Sequence, residues 1–289
     1  MSTRQYKENL IIDPKDDLFA NFIHERVNLA ITKYCNSSPR GPSWSVGKLE
    51  FYCDRNSLYN MIFDFDPNRP NYFKANKDGY GNIFSGMVLH DVIPILDYQE
   101  VNMEFEEIGG HFDDLSACGR WLVDKKTLTK VENWTNQYLP RESHCRQITF
   151  YRVLAHFGTL KEPILDKDGE VVVFNGVEMA AGAKPKFNIK KAHIVYMPMN
   201  AANDVRVADL NKKWMDIPIQ AAAQMLLGKK DRVEEHMLAG TFPERAVSYE
   251  CKYCQWYADC WNTGDYDKSI PEYLDIKLQT MSSLGGGGE

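Results

Sequence analysis

The sequence predicts an α/β fold, and three observations carry that expectation. Residues 109–126 read as two strands around a tight turn. Residues 140–157 carry apolar residues on one helical face, with Val153, Leu154 and Phe157 among them. Residues 192–197, Ala-His-Ile-Val-Tyr-Met, read as a buried strand.

Taken in order, residues 1–42 form a lead. Leu18, Phe22, Val27 and Ile31 are spaced for a helix, which Pro39, Gly41 and Pro42 end. Ser43-Trp44-Ser45 opens a second helix in N-cap style, running through Val46, Leu49, Phe51, Cys53, Leu58 and Met61. Residues 64–82 are rich in Asp, Asn, Pro, Lys and Gly and read as a loop or insertion. Residues 83–93 read as a helix that carries His90 and stops at Pro94. Glu104 to Ile108 leads into the strand that ends at Gly110-His111-Phe112-Asp113. Beyond the 140–157 helix, residues 161–186 read as a hairpin with a turn at Lys167-Asp168-Gly169. Its strands are Val171–Phe174 and Val177–Met179. Lys184 to Lys191 is the densest basic run, and Asp204 to Ala239 reads as largely helical. The chain closes with a polar, glycine-rich stretch that reads as a flexible tail.

The chemistry concentrates at 109–126. Ala117-Cys118-Gly119-Arg120 makes the turn, with Gly119 supplying its backbone angle. Trp121 to Lys126 is the second strand. Side chains alternate faces along a strand, so Asp124 and Lys126 share one face and Lys125 points away. Asp113 on the neighbouring strand reaches the same spot. Two carboxylates hold a hard divalent cation through oxygen. Such a cation lowers the pKa of a bound water and offsets phosphate charge, while a lysine stabilises developing negative charge. Asp113, Asp124 and Lys126 are therefore the residue types of a phosphodiester-cleaving site. Gln147 and Tyr151 lie four apart on one face of the 140–157 helix.

With 289 residues, 44% hydrophobic and 26% charged, the composition is that of a globular protein with an ample core. No apolar run approaches the roughly 18 residues of a membrane span, and the first ten residues lack a signal-peptide core, so a cytoplasmic site is expected. The net charge of -6 argues against a surface coated in nucleic acid but not against a local basic channel. No phosphate-binding glycine loop occurs, which disfavours ATP use.

Seven cysteines, an odd number, disfavour a disulfide framework. Cys251, Cys254 and Cys260 crowd into ten residues at metal-ligand spacing, beside Trp256, Tyr257 and Trp261. Thiolates bind zinc or iron–sulfur. A fourth ligand has to come from Cys35, Cys53, Cys118 or Cys145, and spacing alone does not separate the two metals.

Together these pieces resemble the PD-(D/E)xK nucleases of the RecB-like type, and among them the iron–sulfur members: the CRISPR-associated (Cas four) exonucleases and their phage relatives. The resemblance covers residues 43–262. The helix from Ser43 resembles the family's N-terminal helix, which ends in a Cys followed by a basic residue, here Cys53 and Arg55. That implies Cys53 as the fourth ligand. Gly86-x3-His90 matches the first nuclease motif, Gly110-x2-Asp113 the second and Val123-Asp124-x-Lys126 the third. Gln147-x3-Tyr151 matches the family's Gln-x3-Tyr helix. Gly240-Thr241-Phe242-Pro243 precedes the cysteines, as in many members. The third motif has Asp where many CRISPR-associated members have Glu, and Asp114 competes with Asp113 for the metal.

The resemblance implies a restriction-endonuclease-like fold: a mixed central sheet flanked by helices, with N- and C-terminal helices joined by a structural [4Fe–4S] cluster on Cys53, Cys251, Cys254 and Cys260. It implies Mg2+ or Mn2+ on His90, Asp113, Asp124 and the Val123 carbonyl. Lys126 would assist the attacking water, and Gln147 and Tyr151 would position site and strand. The expected division is a lead at 1–42, a nuclease core with its cluster helix at 43–200, a cluster region at 201–265 and a tail at 266–289. The expected activity is exonucleolytic, on single-stranded DNA ends, in phage recombination or CRISPR adaptation. Two alternatives accompany it. One is a subunit of a recombination or CRISPR-adaptation assembly with latent nuclease activity. The other is a zinc-stabilised endonuclease.

Overall fold

The structure is a computed structural model that describes residues 43–63, 94–128, 139–198, 205–210 and 212–246, with positions 248, 251, 254, 256 and 260. The expected helices at 18–34 and 83–93, the insertion at 64–82 and the tail lie outside the described residues. So does His90.

The chain is mixed α/β, with a mostly antiparallel central sheet flanked by helices. Two helices come first, α1 (Val46–Leu49) and α2 (Asp54–Phe63). Three strands follow: β1 (Tyr98–Phe105), β2 (Ile108–Leu115) and β3 (Trp121–Leu128). Next are α3 (Glu142–Phe157), β4 (Thr159–Leu160), β5 (Val173–Phe174) and β6 (Val177–Glu178). The rest is β7 (Lys191–Pro198), β8 (Arg206–Asp209), α4 (Lys212–Met215) and α5 (Ile219–Ala239). Among the described residues the sheet runs β4-β1-β2-β3-β7-β8. Among the described strands only β3 and β7 pair in parallel, Asp124 opposite Ile194 and Lys126 opposite Tyr196. A parallel pair needs a long crossover, and α3 lies within it.

The core fills the space between this sheet and the helices. Val101, Met103, Phe112, Leu115, Leu122 and Ile194 from the strands meet Leu49, Ile148, Leu154 and Leu226 from the helices. Gly110 lets α3 approach β2 closely: a Cβ there would come within 2.9 Å of both Leu154 Cδ2 and Tyr151 Cε1. The turn after β2 is held by Ser116, whose carbonyl accepts from the Gly119 amide at 2.8 Å and whose hydroxyl accepts from the Trp121 amide at 3.0 Å. Gly119 adopts φ 64°, the left-handed angle expected of it.

Four local expectations are corrected. The helix read from Ser45 through Met61 is two helices, broken at Glu50–Cys53. There the Glu50 carbonyl accepts from Arg146 of α3, and the Phe51 and Tyr52 carbonyls accept from Lys229 of α5. Side chains from two other helices take the carbonyls that a continuous helix would use. Glu104 and Phe105 end β1 rather than begin β2, with a two-residue turn at Glu106 and Glu107. Both take positive φ, and Lys230 holds the turn through Glu107 at 2.9 Å. In the 161–186 hairpin the tight turn is Asn175-Gly176, between the short strands β5 and β6, while Asp166 to Glu170 closes an outer loop. Within the stretch read as helical from Asp204, Arg206–Asp209 forms β8 on the sheet edge. Its half-buried and exposed residues alternate, a period of two that four residues are too few to reveal in sequence.

Candidate active site and cysteine cleft

Adjacent strands β2 and β3 bring the predicted carboxylates together. Lys126 Nζ stands 3.1 Å from Asp124 Oδ1 and 3.0 Å from Asp124 Oδ2. Asp124 is 1% exposed, and the Lys126 side chain is 22% exposed. Asp113 is buried on β2, and its Oδ2 accepts from the Lys125 amide at 2.5 Å. That bond pins Asp113 to the strand between Asp124 and Lys126. Val123 is buried one residue earlier.

Asp113 and its neighbour Asp114 differ in their partners. Asp114 Oδ1 accepts from the amides of Ile95 and Leu96 at 2.9 and 3.1 Å, and Oδ2 pairs with Lys125 Nζ at 2.7 Å. Both side chains of that pair are fully buried. Asp114 and Lys125 are thus a structural ion pair on the opposite face from Asp124 and Lys126, consistent with the pleat.

Gln147 and Tyr151 of α3 face the same carboxylates. Gln147 Nε2 donates to Tyr151 Oη at 3.1 Å, and both side chains are buried. Burial raises the Tyr151 pKa well above its ordinary value, and Asp124, Asp113 and Glu50 add to the rise. The Tyr151 hydroxyl therefore stays protonated. Burial opposes the charge on Lys126, but Asp124, Glu50 and Asp113 outweigh it and hold its pKa above the lysine norm. Lys126 is a permanent cation here.

These electrostatics name a residue that the sequence reading missed. Glu50 acts on both Lys126 and Tyr151, so a third carboxylate from the end of α1 joins Asp113 and Asp124. The available signal was an acidic residue between Leu49 and Phe51 in the stretch read as a helix, three positions before Cys53. Three carboxylates near one lysine make the site rich in oxygen donors, the atom type that a hard divalent cation takes.

The second gathering is at the cysteines. Cys53, at the start of α2, lines one cleft with Cys251, Cys254 and Cys260, although about 200 residues of sequence separate them. Including its open mouth the cleft measures about 450 Å³. Tyr59, Trp256 and Phe51 give it apolar walls. Arg55 anchors the two ends of the chain by donating from Nε to the Pro243 carbonyl at 2.7 Å and stacking over Phe242. Asn56 Nδ2 donates to Cys254 Sγ at 3.2 Å. Burial pushes the Cys254 thiol up to about 11, and burial raises Cys260 as well. Thiols protonated in this way ionise when a metal binds. Cys118 is exposed and Cys145 is buried in the main core, and neither lines the cleft.

Among the described residues no three His, Cys, Asp or Glu side chains stand close enough to hold a metal ion as they are. At the carboxylates, Asp124 is closed onto Lys126. At the cleft, four cysteine sulfurs line a cavity with apolar walls, a donor set whose chemistry suits a thiolate-bound metal centre. Among the described residues no helix is long and apolar enough to cross a membrane.

No family model and no curated protein matches the sequence. Among solved structures, the crystal structure of SSO0001 aligns with a TM-score of 0.40 at 15% identity, covering 82% of this chain and 96% of that one. A likeness at that level carries no argument about function.

Proposed function

We propose that this protein is a metal-dependent DNA exonuclease of restriction-endonuclease-like fold, akin to the RecB-like iron–sulfur nucleases. One observation carries the reading: Asp113, Asp124 and Lys126 converge on adjacent strands, beneath Gln147 and Tyr151 of α3 and beside Glu50. Asp113, Asp124, Glu50 and the Val123 carbonyl would hold Mg2+ or Mn2+, with His90 joining them as the resemblance implies. A bound divalent ion would acidify a water nucleophile and offset charge on the scissile phosphate. Lys126, fixed as a cation, stabilises negative charge that develops on the phosphate. Tyr151 keeps its proton and, with Gln147, orients the carboxylates. The buried setting strengthens each of these interactions.

Cys53, Cys251, Cys254 and Cys260 would hold a [4Fe–4S] cluster that ties the N- and C-terminal segments together. Its role is structural, because the cleft shares no side chain with the carboxylate site. Tying sequence-distant segments suits a ring that admits a strand end, which favours single-stranded DNA ends as substrate. Phage recombination and CRISPR adaptation are the processes that such an activity serves.

The test is a nuclease assay with Mn2+ on end-labelled linear and closed circular single strands, using anaerobically prepared protein with Lys126→Ala as control. Degraded linear DNA, intact circles and a silent variant are expected. Cleavage by Lys126→Ala at the wild-type rate would overturn the assignment. The second reading, a complex subunit with latent activity, is favoured by the exposed Val173 and Val177 of the β5–β6 hairpin, at 62% and 45%. Stoichiometric co-purification of a recombination or CRISPR-adaptation protein with inactive, cluster-loaded protein would select it.

A further inference from the structure

The nuclease reading leaves one half-buried polar group at the site without a role. His144 opens α3, three residues before Gln147 and hence on the same helix face. Its Nδ1 lies 2.9 Å from the Tyr196 hydroxyl. Tyr196 is fully buried on β7 and pairs in register with Lys126 of β3. Paired residues on neighbouring strands point to the same face, so Tyr196 and Lys126 stand side by side and His144 sits over them.

The hydrogen bonds fix the state of the ring. The Tyr196 oxygen accepts from the Arg141 amide at 3.3 Å. Its one proton then has His144 Nδ1 as acceptor among the described residues. A tyrosine hydroxyl donating to Nδ1 places the imidazole proton on Nε2. Burial lowers the His144 pKa well below its ordinary value, and Lys126 and Arg141 lower it further. Burial also keeps the Tyr196 hydroxyl protonated. The chain Arg141 amide, Tyr196 hydroxyl, His144 ring therefore ends in a neutral N–H donor beside Lys126.

Gln147 supplies an independent observation. It is 7% exposed, and its Oε1 is buried with no hydrogen-bond partner among the described residues. A buried amide oxygen in that condition accepts from a donor such as water, so it marks room for a further group one helical turn from His144 without itself contacting a phosphate oxygen.

We propose that His144 is a further substrate-binding residue of the site, holding a non-bridging oxygen of a DNA phosphate through its Nε2–H. The inference rests on the nuclease reading for the identity of that phosphate. A neutral donor has a physical advantage there. A second cation against Lys126 would be repelled, whereas a neutral imidazole binds the anion and leaves the lysine charge aimed at the reacting phosphate.

The experiment has two arms. In the first, kcat and KM are measured on labelled single-stranded DNA for wild type, Lys126→Ala, His144→Phe, His144→Gln and Tyr196→Phe, with melting midpoints recorded. Loss of one hydrogen bond to a charged group predicts about a 10- to 100-fold lower kcat/KM for His144→Phe. His144→Gln, which keeps an N–H donor, recovers most of it. In the second arm, long-range 1H–15N spectra of the histidine ring are recorded on wild-type protein, with and without an oligonucleotide in Ca2+. A ring protonated at Nε2, whose Nε2 resonance moves when DNA binds, is expected. Tyr196→Phe should shift the tautomer toward a mixture, which tests the hydrogen-bond chain, while movement of the Nε2 resonance on DNA binding is the change that a merely structural role would not give.

If wild type cuts, Lys126→Ala is silent and a folded His144→Phe equals wild type, the His144 inference falls and the nuclease reading stands. If wild type does not cut, the nuclease reading falls and the spectra decide. A ring that moves with DNA keeps His144 as a phosphate-binding group, and an unmoved ring overturns it. Should His144→Phe fail to fold, the same wild-type spectra settle the point.

Discussion

The two adjacent lysines of β3 should separate stability from chemistry. Lys125 and Asp114 form an ion pair with neither side chain exposed, and Asp114 also accepts from the Ile95 and Leu96 amides. Removing one member of such a pair leaves an uncompensated buried charge, at a cost of about 3–5 kcal/mol. Lys125→Met should therefore lower the unfolding free energy by about that amount. Adding Asp114→Asn removes the stranded charge while Oδ1 still accepts from the two amides, so the double variant should regain about 1–2 kcal/mol. Lys126→Met differs. The Lys126 side chain is partly exposed, and its removal takes one cation from a carboxylate-rich site. It should silence cleavage, and because it leaves Asp124, 1% exposed, without its cation it should cost stability as well, though a bound divalent ion restores part of that loss, as it cannot for Lys125→Met. Urea unfolding of the four proteins, beside the Mn2+ nuclease assay, reads both quantities. A Lys125→Met loss below about 1 kcal/mol, or cleavage by Lys126→Met at the wild-type rate, would refute the assignment of the two faces.

Three further outcomes follow from particular contacts. Gly110→Ala places a methyl 2.9 Å from both Leu154 and Tyr151, so it should cost about 1–3 kcal/mol and displace Tyr151 from the carboxylates, read as a lower melting midpoint with a lower kcat. Asp54 is pushed up by burial, but its bonds to Arg232 and Lys229 outweigh that and hold its carboxyl below the usual range. A depressed carboxyl stabilises the fold above its unfolded pKa, so Asp54→Asn should be destabilising at pH 7, with the gap to wild type closing as pH falls below about 4. Cys53→Ser should reduce the brown absorbance and the iron content of anaerobic protein and lower its melting midpoint, whereas Cys118→Ser, away from the cleft, should change neither.

What the sequence made legible follows from the range of its signals. The strand pair at 109–126 was readable because alternation and a glycine turn are local, and it placed Asp124 and Lys126 on one face with Lys125 on the other. Gln147 and Tyr151 were readable as a pair because four residues along a helix make one turn. The Gly110-x2-Asp113 register favoured Asp113 over Asp114, but the partners that occupy Asp114, the amides of Ile95 and Leu96 and Lys125, are near only in the fold. The Glu50–Cys53 break was hidden for the same reason, since the residues that capture its carbonyls lie on α3 and α5. Glu50 and His144 escaped notice because neither sits in a motif. Their meaning comes from Lys126 and Tyr196, brought close by strand pairing.

That break also relates the two gatherings of functional residues. Glu50 faces the carboxylate site and Cys53 lines the cysteine cleft, with only Phe51 and Tyr52 between them. A continuous helix would carry the two side chains around a common axis with a fixed rotation of about 100° per residue. The broken segment frees them from that constraint, so each can be aimed at its own site. The cost of interrupting a helix is its orphaned carbonyls, and here three successive ones find buried donors: Arg146 takes Glu50, and Lys229 takes Phe51 and Tyr52. Lys229 is itself held by Asp54 at 3.1 Å, on the first turn of α2. The segment is thus fixed from both sides, by α3, which also carries Gln147 and Tyr151, and by α5, which leads through Gly240 to the Phe242-Pro243 contact with Arg55. A shift of Cys53 would have to move Glu50 or break this set of buried bonds. The position of Cys53 at the cleft and the position of Glu50 beside Asp113 and Asp124 are therefore mechanically joined.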